Sequence, residues 1–154
     1  MLEKAAGLIY GTIVVAALLD AESAVTETYA ETVAGVVIAV LVYWLAHAYA
    51  TFAGQRLSRR ETFHLSDFTH ALVEQSTILA GAMVPLGVLL IGWAADASLD
   101  TAINIGIYTA AAMLLLIELV SGLRAHLSGP ALLIQTLFGA TLGALVIALK
   151  LVFH

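Results

Sequence analysis

The chain has 154 residues, of which 62% are hydrophobic and 11% are charged, and its net charge is −5. Its mean hydropathy is +1.02. Small soluble domains bury only about 60–70% of their surface, so in water a chain of this composition would expose a large apolar exterior. The composition therefore excludes a water-soluble domain and predicts a polytopic membrane protein. Because the sequence has no cysteine, disulfides and thiolate metal sites are excluded as well.

Five apolar stretches are long enough to cross a bilayer, which requires about 20 mostly apolar residues. They predict an all-α bundle of five transmembrane helices, forming a single transmembrane domain over residues 1–154. The predicted spans cover residues 2–19, 32–53, 69–95, 99–123 and 130–153. The loops between them are too short to fold a catalytic domain, so we do not expect an enzyme.

The basic residues predict how the bundle is oriented. One side of a five-span chain carries Lys4, Arg56, Arg59, Arg60 and Arg124. Cytoplasmic loops are enriched in Lys and Arg, so this pattern predicts a cytoplasmic N-terminus and an outside C-terminus, in the cell membrane. Lys150 is the exception, and we expect it to snorkel to the membrane surface. The arginines at 56–60 are interpreted as the orientation determinant, with binding of anionic lipid headgroups as the alternative.

Small residues predict where the helices approach each other closely. Gly7 and Gly11 form a GxxxG pair in the first span, and Gly139 and Gly143 form another in the last. In lipid, such pairs let helix backbones come into contact. We interpret them as packing within the chain, and the alternative is that one pair forms the seam of a homodimer. Pro85, in the middle of the third span, predicts a kink or hinge because proline removes one helical hydrogen bond.

Polar side chains inside the spans mark the candidate functional site. They are His47, Glu74, Glu118 and Gln135, and His70 lies one helical turn from Glu74 on the same face. At 1.5 Å per residue from the charged ends of the spans, the first four lie about 8–13 Å deep on the cytoplasmic side. This shared depth predicts a polar chamber where helices two to five meet.

Three interpretations of this polar layer stay open. A histidine with two carboxylates, here His47, Glu74 and Glu118, suits a divalent cation such as Zn²⁺, Fe²⁺ or Mn²⁺. The same groups suit a proton relay, because a histidine titrates near neutrality and a carboxyl group in hydrocarbon also binds a proton. Alternatively, the groups pair with each other only to hold the helices together. Apart from such a cation, no cofactor is expected.

Three stretches in the second half of the chain form a family pattern. Residues 77–87 hold small residues followed by a proline, residues 118–129 form a helix-to-helix connection, and residues 139–145 read Gly-Ala-Thr-Leu-Gly-Ala-Leu. Together with the five-span layout, they resemble the VIT/CCC1 family of vacuolar iron and manganese transporters. The resemblance implies a VIT-like fold and a homodimer with the first spans near its seam. It does not imply iron transport, because the metal-handling motifs of the family's first two spans are missing here.

The polar layer predicts a small cation or proton transporter or channel. The alternative is a non-transporting membrane scaffold or partner-binding module that keeps a VIT-like fold without transport chemistry. The expected partners are the lipid bilayer, a second copy of the chain, and a cation or proton as substrate. Nucleic acid is not an expected partner.

Overall fold

The computed structural model of the chain describes residues 2–23, 28–59 and 62–153. These residues form α-helices and no β-strand, which confirms the all-α prediction. The helices, in chain order, are α1 (Leu2–Ser23), α2 (Tyr29–Arg59), α3 (Leu65–Glu74), α4 (Thr77–Ala94), α5 (Leu99–Arg124) and α6 (Gly129–Phe153).

The helices have the length and apolar character of an integral membrane protein. Three stretches of the described chain are long and apolar enough to cross a bilayer: Tyr29–Ser58, Leu65–Ala94 and Leu99–Arg124. Two shorter apolar stretches, Ala5–Ala21 and Gly129–Leu145, lie within the first and last predicted spans. The outward faces are also apolar, since Ile38, Ile91 and Leu133 are 61–70% exposed. Large exposed apolar surfaces mark contact with a partner or with membrane, and lipid accounts for them here.

The third predicted span takes a different form from the expected single helix over residues 69–95. The structure divides it into α3 and α4, with an interruption at Gln75 and Ser76. There the N–H of Ser76 donates to the carbonyl of Val73 at 3.2 Å, instead of to the carbonyl of Leu72 four residues back. Leu72 therefore loses its helical donor. Pro85, where the kink was predicted, lies inside the uninterrupted helix α4.

The second helix is longer than predicted. The sequence predicts residues 32–53, whereas α2 has 31 residues and runs to Arg59. At 1.5 Å per residue it is about 46 Å long, which exceeds the roughly 30 Å of a hydrocarbon core. Its C-terminal end, which carries Arg56, therefore extends beyond the depth that a span needs.

Helix α1 occupies the centre of the bundle, where it packs against α2, α4 and α5 and more sparsely against α6. Val15 and Leu19 of α1 are fully buried against α4 and α5, in a core that includes Leu89 and Ile103. Burial of this central helix brings its polar residues next to three neighbours. The interior of the bundle is therefore organised around α1.

Close contact between α1 and α4 explains the first glycine pair. A Cβ atom on Gly7 would overlap the side chain of Thr77, and one on Gly11 would overlap the carbonyl of Ile78. Because the contacts advance together along both helices, α1 and α4 run in the same direction. The structure thus places Gly7 and Gly11 against a helix of the same chain.

The second glycine pair lies between α6 and α5. A Cβ on Gly139 would stand 2.6 Å from Cγ of Glu118, and one on Gly143 would stand 3.5 Å from Cβ of Ala111. These two glycines also face a helix of their own chain. Both pairs are therefore used inside the bundle, and neither is left facing outward.

Two tight turns set α5 antiparallel to both α4 and α6. Asp96 and His126, which follow α4 and α5, have φ angles of 54° and 52°, in the left-handed region that favours glycine. In the first turn the N–H of Ala97 donates to the carbonyl of Gly92 at 3.0 Å, and the second turn closes in the same way. This is the Schellman arrangement, which satisfies the last carbonyls of a helix.

Candidate functional site

Glu118 of α5 and Gln135 of α6 form a direct hydrogen bond between two apolar helices. The side-chain nitrogen Nε2 of Gln135 donates to Oε2 of Glu118 at 2.8 Å and lies 3.2 Å from the backbone carbonyl oxygen of Glu118. Both side chains are half-buried. A carboxylate in hydrocarbon costs several kcal/mol unless it finds a partner. The amide of Gln135 is that partner.

A glycine makes room for this pair. A Cβ on Gly139 would stand 2.6 Å from Cγ of Glu118, so a larger residue there would collide with the side chain that accepts the hydrogen bond. Gly122 lies at the same contact between α5 and α6, where a Cβ would stand 2.5 Å from Cδ1 of Leu132. Gly139 thus contributes to the polar pair as well as to helix packing.

His47 lies in a different place, at the contact between α1 and α2. Its ring centroid is 5.5 Å from that of Tyr10 and 6.0 Å from that of Tyr43. Among the described residues, His47 has no hydrogen bond or ion pair with Glu74 or Glu118. The imidazole is therefore part of an aromatic contact between two helices.

Glu74 and His70 lie on the outside of the bundle. Both side chains are exposed on α3, whose buried side includes Ala71. Within the described parts of the chain, no group of three His, Cys, Asp or Glu side chains is placed to hold a metal ion. The structure thus pairs Glu118 with Gln135, and it does not bring His47, Glu74 or His70 to that pair.

A buried threonine that the sequence analysis did not single out connects three helices. Thr12 of α1 is fully buried, and its hydroxyl lies 2.8 Å from the carbonyl oxygen of Leu8 and 3.2 Å from that of Gly81 in α4. The sulfur of Met113 in α5 lies 3.8 Å away. Because a hydroxyl has one hydrogen, the two carbonyls share a single donor.

The carbonyl of Gly81 is the one that Pro85 leaves without a helical partner, because proline has no N–H to offer four residues back. The hydroxyl of Thr12, which is shared with the carbonyl of Leu8, is therefore a donor from α1 to the carbonyl that Pro85 frees in α4. Proline in a membrane helix is tolerated when a neighbouring side chain donates a hydrogen bond to the freed carbonyl in this way. Pro85 was visible in the sequence, but nothing in the sequence indicated which helix supplies the donor.

The interruption between α3 and α4 is closed by a second side chain from a neighbouring helix. The indole N–H of Trp44 in α2 donates to the carbonyl of Leu72 at 3.2 Å. This carbonyl is the one that the interruption frees from its helical donor. Both irregularities of the third span are thus satisfied from outside it, one by Trp44 and the other by Thr12.

The opposite end of α2 is held by a tyrosine. The hydroxyl of Tyr29 donates to the carbonyl of Ala97 at 2.8 Å, in the turn between α4 and α5. Its ring stacks on that of Trp93, with centroids 5.8 Å apart and planes 5° apart. Thr12, Trp44 and Tyr29 thus each donate to a backbone carbonyl in a distant segment of the chain.

Comparison of the chain with protein-family models, with curated proteins and with solved structures found no match. The VIT/CCC1 resemblance therefore stays a prediction from the residues that suggested it.

Proposed function

We propose that the chain is a structural module of the membrane, in which five helical passes support a protein partner or the surrounding lipid and no ion crosses. The passes are α1, α2, the interrupted pair α3–α4, α5 and α6. We place the N-terminus in the cytoplasm, because the basic residues of the sequence collect at that end of the passes.

Helix length and direction support five passes. Helices α1 and α6 have 22 and 25 residues, which corresponds to about 33 and 38 Å of helix. Both lengths are sufficient for a hydrocarbon core of roughly 30 Å. The parallel contact of α1 with α4, and the antiparallel contacts of α5 with its neighbours, are those of five passes in alternating directions.

One observation supports a structural role over transport: the polar residues are dispersed instead of gathered. Transport through the predicted chamber needs His47, Glu74 and Glu118 on one path. Glu118 is instead hydrogen-bonded to Gln135, His47 contacts two tyrosine rings, and Glu74 is exposed. Polar side chains that each contact a different neighbouring helix are expected where such residues only hold membrane helices together.

Proton transport is the second candidate, and the Glu118–Gln135 pair is the observation that favours it. A carboxyl group inside an apolar bundle can bind and release a proton, and such groups often mark proton paths. Among the described residues, however, no second ionisable side chain hydrogen-bonds to this pair. A proton bound by Glu118 therefore has no neighbouring carrier within the described part of the bundle.

Flux through proteoliposomes distinguishes the two functions. The purified chain is reconstituted into liposomes that contain a pH-sensitive dye, and a pH gradient is imposed across their membrane. A panel of divalent cations is tested in liposomes that contain a metal-sensitive dye. The structural module predicts dissipation no faster than in protein-free liposomes. Flux that exceeds this background, that Glu118→Gln abolishes and that Glu74→Gln leaves intact would instead identify a transporter that uses the Glu118 pair.

A further inference from the structure

The C-terminal end of α2 holds an arginine against two aromatic rings. The guanidinium carbon of Arg56 lies 6.0 Å from the ring centroid of Phe52 and 5.9 Å from that of Phe63. The two rings meet edge to face, with centroids 5.4 Å apart and planes at 89°. A cation near aromatic faces is attracted by their negative charge density, so the position of the guanidinium is restricted.

Further aromatic contacts anchor this arrangement to the fold. Phe52 is 6% exposed and contacts Phe68 of α3, with ring centroids 5.7 Å apart. Phe68 in turn contacts Tyr49 of α2, with centroids 6.4 Å apart. The cluster therefore joins α2, the segment before α3, and α3 itself, and Arg56 is held on a packed support.

The described residues offer Arg56 no acidic partner. Within the described parts of the chain, it forms no ion pair with an aspartate or a glutamate. The aromatic rings attract its charge but do not accept hydrogen bonds from the planar fork of N–H donors. A fork of this kind matches two oxygens of a phosphate or carboxylate at once.

Exposed apolar side chains lie near Arg56, and the sequence beside it is rich in arginine. Three exposed side chains near this end of α2 are Leu57 at 70%, Phe63 at 51% and Leu65 at 67%. Three of the six basic residues of the sequence lie within five positions here: Arg56, Arg59 and Arg60. Exposed apolar groups beside concentrated positive charge are typical of a surface between hydrocarbon and anionic headgroups.

We propose that Arg56 is a binding site for the phosphate of an anionic phospholipid. The guanidinium would hold two phosphate oxygens, while Phe63 and the neighbouring leucines lie against the acyl chains. A lipid fits better than free phosphate, because only a lipid also covers the exposed apolar side chains. The proposal rests on the membrane location of the chain, and it holds whether or not an ion is transported.

Native mass spectrometry of the chain released from a neutral detergent tests this site. Phosphatidylglycerol and phosphatidylcholine of equal chain length are offered in turn to the native protein and to Arg56→Gln, Arg56→Lys and Arg124→Gln variants. Arg124 is the matched control, since it also lies in the last turn of a helix but, among the described residues, has no cation–π contact with an aromatic ring.

We expect the native chain to retain phosphatidylglycerol over phosphatidylcholine. Arg56→Gln should weaken retention of phosphatidylglycerol about tenfold or more, because charge-assisted bonds to phosphate are lost. Retention of phosphatidylglycerol by Arg56→Lys should lie between that of the native chain and that of Arg56→Gln. Retention by Arg124→Gln should equal that of the native chain. Phe63→Ala, which alters an exposed ring, should weaken retention as well and provides a second test if Arg56→Gln folds poorly.

Three results would overturn the proposal. Equal retention by the native chain and Arg56→Gln would exclude the site. Equal losses in the Arg56→Gln and Arg124→Gln variants would show that total charge alone attracts the lipid. Displacement of phosphatidylglycerol by millimolar inorganic phosphate would show that the site takes free phosphate in place of lipid. Each result is independent of the flux measurement that tests the structural role.

Discussion

The hydroxyl oxygen of Thr12 lies 3.2 Å from the carbonyl oxygen of Gly81. Pro85 leaves this carbonyl without its helical donor. Thr12 is fully buried at the junction of α1, α4 and α5. In hydrocarbon a backbone carbonyl without a hydrogen-bond donor costs several kcal/mol. The hydroxyl of Thr12 lowers this cost for the proline in the middle of α4. A hydrogen bond between neighbouring helices thus replaces one that a helix would normally make within itself.

Thr12→Val should lower the free energy of unfolding by about 1 kcal/mol, which is within the range measured for interhelical hydrogen bonds in membranes. In a Pro85→Ala background, the restored N–H of residue 85 donates to Gly81, so Thr12→Val should cost clearly less. Reversible unfolding in mixed micelles, applied to the single and double variants, measures this coupling.

Thr141→Val is the matched control for Thr12→Val. Thr141 is exposed, and its hydroxyl donates to the carbonyl of Leu137 in its own helix at 2.8 Å. The Thr141→Val substitution should change the free energy of unfolding by less than about 0.5 kcal/mol. If Thr12→Val costs the same with Pro85 as with alanine at position 85, the threonine does not compensate for the proline.

Trp44→Phe should loosen the interruption between α3 and α4, because it keeps the ring but removes the donor to Leu72. We expect faster hydrogen exchange at the amides of residues 73–78, measured by mass spectrometry. Trp93→Phe is the control, since the ring of Trp93 stacks on Tyr29 and its indole N–H donates to no other described residue. Unchanged exchange in the Trp44 variant would mean that the interruption is stable without the indole.

Glycine substitutions should separate helix contacts from open surface. Gly11→Ala places a methyl group on the backbone of α4, so it should cost about 2–3 kcal/mol of stability. Gly87→Ala, also in a membrane helix, has open space around its Cβ and should leave stability unchanged or raise it by up to about 1 kcal/mol. Thermal unfolding in one detergent compares the two, and similar losses at both positions would argue against the α1–α4 contact.

Gln135→Leu should destabilise the bundle by about 1–3 kcal/mol, because Glu118 keeps its place without the amide that satisfies it. Glu118→Gln should cost less, since an amide at position 118 still accepts from Gln135. Chemical unfolding of both variants in micelles measures the difference. An equal or larger loss in Glu118→Gln would show that the pair depends on a charged carboxylate, which the structural role does not require.

Helix positions follow from hydropathy, because each helix must match the thickness of the hydrocarbon. The predicted span 99–123 differs from α5, Leu99–Arg124, by a single residue. The interruption at Gln75 and Ser76 was not predictable, since neither residue breaks a helix strongly. The carbonyl of Leu72 that it frees accepts from Trp44, which lies about 30 residues earlier in the sequence and reaches the site only through the tertiary fold.

The candidate site shows the limit of counting depth along a helix. Depth placed Glu118 level with Gln135, and the structure joins them at 2.8 Å. The same count placed Glu74 and His47 in that layer, yet Glu74 is exposed and His47 contacts two tyrosine rings. The depth of a residue follows from its position in the sequence. The side of the helix that faces the interior depends on the rotation of the helix about its axis, which is set by packing against neighbours.

We propose that hydrocarbon surrounds five passes of this chain, and labelling of single cysteines tests this proposal most directly. The sequence contains no cysteine, so one can be placed at a time without removing others. In sealed membranes, an impermeant maleimide should label Glu3→Cys and Val152→Cys from opposite sides, with Ser98→Cys and Ser128→Cys as references for the two sides. Labelling of both ends from the same side would mean an even number of crossings and would contradict the five-pass bundle.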